Sequence, residues 1–186
     1  MKKIIALAAL TLLVGCSSSG NKQCHQNINA TQNECAARED SVGKAVKSRL
    51  EAIYTDVFGW YTEAESNNDI EGQKPNFDDK YMSDGYRSLI HKVEKHDEAI
   101  LAQGEIGFFD SDHWVCGQDY GNLSMKVRSG KLTGKDRYEA RVDIHNLGNV
   151  EKITIILVYE HGQWMIDDLL VSGQSERKSM TEYLKN

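Results

Sequence analysis

The chain of 186 residues lacks an apolar run long enough to cross a bilayer: its longest, residues 4–14, has eleven residues, whereas a helical span needs about 20. It also lacks a cluster of Lys and Arg, and its net charge is −6. Both features argue against a nucleic-acid partner and against electrostatic docking on anionic lipid. Any attachment to a membrane must therefore have another source.

Recognisable catalytic motifs are missing as well. The sequence has no G-x-S-x-G, no phosphate-binding glycine loop and no pair of His at a metal-binding spacing. Asp110-x-Asp112 matches only the start of a calcium loop, because the Gly and Glu that such a loop requires do not follow. The sequence therefore predicts no metal site, no cofactor and no enzymatic activity.

The first residues have the pattern of an export signal. Lys2 and Lys3 provide a basic start, and the apolar residues 4–14 follow. Instead of a small-x-small cleavage site, Leu13-Val14-Gly15-Cys16 ends this segment. The motif resembles the lipobox of bacterial lipoproteins.

That resemblance implies that the Cys16 thiol receives a diacylglyceryl group, that residues 1–15 are cleaved off as a signal peptide, and that the new amine is acylated, commonly with palmitate. Two or more acyl chains give stable anchoring. Ser17 rather than Asp follows Cys16, which in Gram-negative lipoproteins favours the outer membrane. We therefore expect a lipid-anchored, periplasm-facing protein of the outer membrane. Without residues 1–15 the chain keeps 20 basic and 28 acidic residues, a net charge of −8.

Residues 16–39 have no apolar periodicity and are rich in Asn, Gln and Ser, which predicts a flexible tether. They contain Cys24 and Cys35. In an oxidising compartment we expect this local pair to form a disulfide, which leaves Cys116 as a buried free thiol. The alternative joins one of the two tether cysteines to Cys116.

Residues 40–186 have the pattern of one α+β domain. Apolar residues at helical spacing predict a first helix from Asp40 or Ser41 to about Glu65, and a second from Ser83 or Asp84 to near Gly104. Beyond residue 104 the apolar period changes from 3.6 to 2, which predicts an antiparallel meander. Its expected strands lie near 123–127, 138–144, 152–159 and 164–169, with turns at 129–130, 133–134, 146–148 and 160–162, and a short helix at 174–184 closes the chain.

Two segments of this domain carry a family resemblance. The stretch FFDSDHWVCGQD, residues 108–119, and the closing Gly162-x-Trp164-x-Ile166-Asp167-Asp168 are similar to motifs of small bacterial lipoproteins of unknown function built on the nuclear-transport-factor-two-like (cystatin-like) cone. The resemblance covers roughly residues 42–171. It implies long helices packed on a curled antiparallel sheet, with a concavity between them, and it says little about activity.

The functional groups of the chain are densest in residues 108–119. In one interpretation they line a pocket, where an Asp–His pair performs acid–base chemistry. In the other they form a tight turn whose carboxylates bond their own backbone. The predicted pocket residues, including two from the closing strand, are Asp110, Asp112, His113, Trp114, Asp119, Trp164 and Asp167.

Alternation on the closing strand is expected to turn one of Asp167 and Asp168 inward and the other to solvent. An inward carboxylate either acts as a base with a raised pKa or holds a neighbouring element through an ion pair or a cap.

Three functions remain open from the sequence. The preferred one is a non-catalytic binding or accessory lipoprotein of the cell envelope that engages an envelope protein. The second uses the cone pocket to bind a small molecule or to perform acid–base chemistry. The third is an immunity or inhibitor lipoprotein against a periplasmic toxin or hydrolase.

Overall fold

A computed structural model describes residues 21–67 and 74–185, with side chains from residue 34 onward except residue 35. The predicted signal peptide, residues 1–15, and Cys16 lie outside these residues. The chain divides into two units, residues 1–37 and 38–186, and the sheet and the helices after the first lie in the second. Among the described residues, no helix is long and apolar enough to cross a membrane.

The first helix is longer than its apolar stripe predicts. Helix α1 runs Asn21–Ser66, whereas the sequence predicts a start at Asp40 or Ser41. No Pro or Gly stands between residues 21 and 42, so nothing opposes continued propagation of the helix once it is nucleated. That residues 16–39 tether the domain to the membrane stays a prediction.

The expected Cys24–Cys35 disulfide involves side chains outside the described ones. A continuous helix across both residues would hold their Cα atoms about 16 Å apart, which is beyond the reach of a disulfide. Helix and disulfide are therefore alternatives for this segment.

Two further helices precede the sheet, and side-chain caps fix where each begins. The short α2, Phe77–Tyr81, was not predicted; the Asn76 side chain caps it by accepting from the Asp79 amide at 2.9 Å. For helix α3, Asp84–Leu101, the sequence leaves Ser83 and Asp84 open as the start, and the structure has Ser83 as the cap, whose hydroxyl accepts from the Tyr86 amide at 3.1 Å.

The sheet is a five-stranded antiparallel meander in which every strand pairs with its sequence neighbours. Its strands are β1 Ser124–Gly134, β2 Arg137–Asn146, β3 Asn149–Glu160, β4 Gln163–Val171 and β5 Gln174–Ser175. The turns Leu147-Gly148, His161-Gly162 and Ser172-Gly173 have positive φ at both residues, as two-residue hairpin turns require.

Two predicted turns are instead part of a strand. Residues 129–130 and 133–134 lie within β1, which ends only at Gly134. A bulge between Val127 and Ser129 interrupts the alternation there, so Ser129-Gly130 bends the strand without ending it.

The core lies between the helices and one face of the sheet. Leu50, Ile53 and Tyr54 of α1 pack with Ile90 of α3 and with the inward residues of the strands, for example Ile155. Helix α4, Glu176–Tyr183, closes the chain near the predicted place. The α+β class is confirmed: helices pack on an open antiparallel sheet, consistent with a curled, cone-like sheet.

Candidate functional site

An open cleft of about 760 Å³ lies in the described part of the second unit. One wall is the segment 74–78 with Ile90 and Glu94 of α3, and the other is the loop 109–118, which has no regular secondary structure. The cleft brings together four of the predicted pocket residues, Asp110, Asp112, His113 and Trp114.

Asp112 is held by contacts on both carboxylate oxygens. Oδ1 accepts from the backbone amide of Trp114 at 2.8 Å, and Oδ2 accepts from the Tyr61 hydroxyl and pairs with Lys74. Burial raises the pKa of Asp112, but the bonds from Lys74 and Tyr61 outweigh it and hold this pKa below its ordinary value. The carboxylate therefore shapes the loop, as the turn interpretation predicts.

His113 lies between two carboxylates. Its Nε2 is 3.0 Å from Oδ1 of Asp78 on α2, and its Nδ1 is 3.3 Å from Oε1 of Glu176 on α4. Burial alone lowers the pKa of His113, but the contacts with Asp78 and Glu176 outweigh it and raise this pKa to about 10. At neutral pH the imidazole is therefore a cation and has no lone pair with which to act as a base.

Asp78 and Glu176 are the partners that sequence reasoning missed. Asp78 also accepts from the Trp114 indole N–H at 2.7 Å. Burial raises the pKa of Asp78, but His113 and Trp114 bond to the charged form and lower it below its ordinary value. These residues lie 35 positions before and 63 positions after His113, so no local spacing relates them.

Three buried polar atoms of the described residues lack an aligned hydrogen bond, although Oε1 of Glu176 is paired with His113. They are the hydroxyls of Tyr54 and Tyr86 and Oε1 of Glu176. Burial raises the pKa of both tyrosines, and the nearby charge of Glu176 adds to it. Both phenols therefore stay protonated at physiological pH.

The Cys116 thiol is free and half-buried. Burial raises its pKa to about 12, and the charges of Glu151, Glu176 and Asp112 add to this. A thiol with that pKa stays protonated and is a poor nucleophile at neutral pH. Its sulfur lies 3.7 Å from the His113 carbonyl rather than against the imidazole.

Buried polar side chains outside the loop hold its two ends. Asp97 of α3 accepts from the Phe108 amide at 2.6 Å and from the Tyr183 hydroxyl at 2.8 Å. At the other end, Asn146 of β2 donates to the carbonyls of Val115 and Asp119. The loop is therefore a fixed wall of the cleft.

The other predicted pocket residues lie elsewhere. Asp119 borders a separate cavity of about 260 Å³ next to Cys116. Trp164 is buried between the rings of Tyr138 and Tyr159, at centroid distances of 6.2 and 5.3 Å.

Asp167 bridges three elements. It pairs with Arg137 of β2 and Arg177 of α4, and it accepts from the Ser83 hydroxyl at 2.7 Å. Like Asp119 and Trp164, it does not line the large cleft.

The expectation that only one of Asp167 and Asp168 turns inward is wrong. Both are buried, because a bulge in β4 breaks the alternation: Asp168 pairs with Ile156, and Ile166 pairs with the next residue, Leu157. Asp168 caps α4 by accepting from the Arg177 amide at 3.0 Å. Both carboxylates hold neighbouring elements, as one of the two interpretations predicts.

The carboxylates of Glu94 and Asp110 differ from the others of the cleft. Both are exposed on its rim, and neither has a hydrogen bond or ion pair among the described residues. The rings of Phe77, Phe109 and Trp114 also line the cleft, and of the three only Phe109 is more than slightly exposed. The cleft thus combines exposed carboxylates with an aromatic lining.

A separate group has metal-ligand geometry. Ligand atoms of Asp84, Glu160 and His161 lie within 4.8 Å of one another. They are engaged with one another and with Arg87: His161 Nε2 is 2.8 Å from Asp84, Glu160 accepts from the Asp84 amide, and Arg87 pairs with Asp84. These contacts compete with any cation.

A scan against models of protein families finds none that matches the chain, and a search of curated proteins finds no similar sequence. The resemblance to cone-fold lipoproteins therefore stays a prediction from motifs, and the interpretation of the cleft rests on its geometry.

Proposed function

We propose that this chain is a lipid-anchored, periplasm-facing, non-catalytic lipoprotein of the outer membrane that binds an envelope protein through the cleft between residues 74–78, α3 and the loop 109–118. One observation carries the proposal. The ionisable groups deep in the cleft are occupied with one another, whereas those on its rim, Glu94 and Asp110, are exposed and unpaired.

The deep groups support binding rather than catalysis. A general base must be able to accept a proton near neutral pH, but His113 already holds one between two carboxylates, because its pKa is about 10. Cys116, with a pKa of about 12, is not an activated nucleophile. These groups instead fix the loop, α2 and α4 against one another.

The rim and the aromatic lining of the cleft favour one class of partner. Unpaired carboxylates at Glu94 and Asp110 attract a positive group, and the half-buried ring of Phe109 in the same cleft offers an apolar and cation–π surface. A protein loop that presents Arg or Lys together with an apolar side chain fits this combination.

The anchor is supported by the sequence alone. The basic start, the short apolar run and the lipobox-like ending at Cys16 predict acylation, and residues 16–39 would separate the domain from the lipid. In Cys16→Ser we expect loss of acyl labelling and of membrane association; unchanged membrane fractionation would contradict the anchor.

The test of the binding site is photo-crosslinking in intact cells. A photoreactive residue placed at Ser111 of the full-length chain, which is exposed and lines the cleft beside Asp110, should crosslink to one envelope protein. The same residue at Lys178, which is exposed on α4, is the control. Glu94→Gln should weaken the Ser111 adduct, because it removes one of the two unpaired rim charges. Equal adducts from both positions, or an adduct unaffected by Glu94→Gln, would contradict the proposal.

The cleft volume also supports a second candidate, a small-molecule ligand. At about 760 Å³, the cleft lies within the range of about 300–1,000 Å³ typical of such sites. Native mass spectrometry separates the two: a small molecule retained by the wild-type chain and lost in Glu94→Gln would favour this candidate over a protein partner.

A further inference from the structure

The outer face of the sheet gathers cations that are scattered in the sequence. Side chains that alternate with core residues point away from the helices on β1, β2 and β3. Arg137 and Glu160 also alternate outward, but they bond to Asp167 and to the Asp84 amide. We call the other charged residues among them, together with Arg128 at the β1 bulge, the basic face: Lys126, Arg128, Lys131, Glu139, Arg141, Asp143 and Lys152.

Strand register explains how the cations meet. Lys126 on β1 and Lys152 on β3 both pair with Asp143 on β2, so the three residues form a row across the sheet. Arg128 occupies the bulge and donates to Asp143 through Nε at 2.7 Å. Asp143 and Lys152 of this row line a cavity of about 350 Å³ together with Arg128 and Arg141.

Most of the positive charge on this face is unpaired. Asp143 is bonded to Arg128, and Lys131 lies 3.6 Å from Glu139. Among the described residues, Lys126, Arg141 and Lys152 form neither an ion pair nor a hydrogen bond, and all three are exposed.

The face is opposite in charge to the rest of the molecule. It carries five cations and two carboxylates, a net charge of +3, whereas the whole chain carries −6 and the remainder therefore −9. Charges separated by more than about 10 Å are largely screened at physiological salt. An anionic surface next to this face therefore interacts mainly with the local charge of +3.

We propose that the basic face lies against the phosphate groups of anionic phospholipids and holds the domain on the membrane, contrary to the expectation from the sequence, which has no run of Lys and Arg. Cations spread over three strands, about 10 Å across, suit a surface that offers phosphates at many positions. A protein interface typically relies on buried aromatic anchors, and the charged row on β1–β3 has no aromatic side chain beside it at an outward position.

This inference rests on the proposed lipid anchor, and the experiment separates the two. The intact acylated protein is added to vesicles of phosphatidylcholine alone, or of phosphatidylcholine with phosphatidylglycerol. Flotation with the neutral vesicles tests the anchor. Acetylation of individual lysines, read by mass spectrometry, tests the basic face. We expect phosphatidylglycerol to protect Lys126 and Lys152 but not the exposed Lys92 of α3.

Matched double variants test whether the protection depends on this face. Each cation near an anionic surface contributes about fivefold to the docking equilibrium. The double variant Arg141→Gln, Lys152→Gln should therefore lower the equilibrium constant for docking by about 25-fold, as measured by the protection of Lys126 from acetylation. The double variant Lys92→Gln, Lys95→Gln removes the same charge from α3 and should leave this constant unchanged.

Three results would overturn the proposal: equal acetylation of Lys126 in both vesicles, equal protection of Lys92, or equal effects of the two double variants. Protection of Lys126 only in native membranes would assign the face to a protein partner instead. If the protein does not float with neutral vesicles, the lipid anchor is contradicted. The basic face is then tested by comparing the acetylation of Lys126 and Lys92 in the presence of anionic vesicles.

Discussion

His113 provides the sharpest test of the buried charge cluster, through the pH dependence of stability. An unfolded chain binds this proton with a pKa of about 6.5, whereas the folded protein holds it to about pH 10. Because the folded pKa is raised, the stabilisation is fully present below about pH 6.5 and is lost as the pH rises towards 10.

The magnitude follows from linkage. Between the two pKa values the folded state binds one proton more than the unfolded state, so the free energy of unfolding falls by about 1.4 kcal/mol per pH unit. From about pH 7.5 to 9 the wild-type protein should lose about 2 kcal/mol through His113. His113→Gln should abolish this slope and, at neutral pH, lower the free energy of unfolding by about 3–5 kcal/mol, because Asp78 and Glu176 lose their cation.

The assay is urea unfolding at several pH values for the wild type, His113→Gln and His145→Gln, the last being the same substitution on the outer face of the sheet. An NMR titration of the wild-type His113 ring nitrogens gives the protonation state even where the variant does not fold. A slope that is the same in the wild type and His113→Gln, or a neutral ring at pH 7.5, would refute the reasoning and restore His113 as a candidate base.

Two further substitutions test the loop and the sheet. Asp112→Asn should lower the free energy of unfolding by about 1–3 kcal/mol, since the neutral side chain loses its pairing with Lys74; an unchanged melting temperature would show that Asp112 does not hold the loop. Gly130→Ala should cost about 1–3 kcal/mol in urea unfolding, because the new methyl group meets the Tyr138 ring and lies 2.8 Å from the Glu139 carbonyl oxygen. Gly134→Ala on the same strand, with its nearest atom at 3.6 Å, is the control; equal losses would contradict this packing.

Periodicity predicts the parts of the fold that repeat. The switch from period 3.6 to period 2 near residue 104 predicts α3 and the meander, and the Ser83 cap is one of the two starts that the sequence leaves open. Bulges have no such signal. The bulge in β4 buries Asp168 beside Asp167, and the bulge in β1 lengthens a strand through a predicted turn.

The candidate site is predictable only where its residues are close in sequence. The segment 108–119 contains the four residues of the cleft that the sequence predicts. Asp78 and Glu176, which contact His113, lie on other elements. The basic face is missed for the same reason: its cations alternate with apolar residues on three strands, so no run of Lys and Arg marks it. Such clusters depend on register, which the pattern of one strand does not determine.

Native mass spectrometry of the intact protein, extracted gently from membranes in detergent, tests the central claim most directly. The account predicts a chain that begins at an acylated Cys16, bound to one further polypeptide that is lost in Glu94→Gln. A chain without acyl groups, or an acylated chain that carries a small molecule in place of a protein, would contradict it.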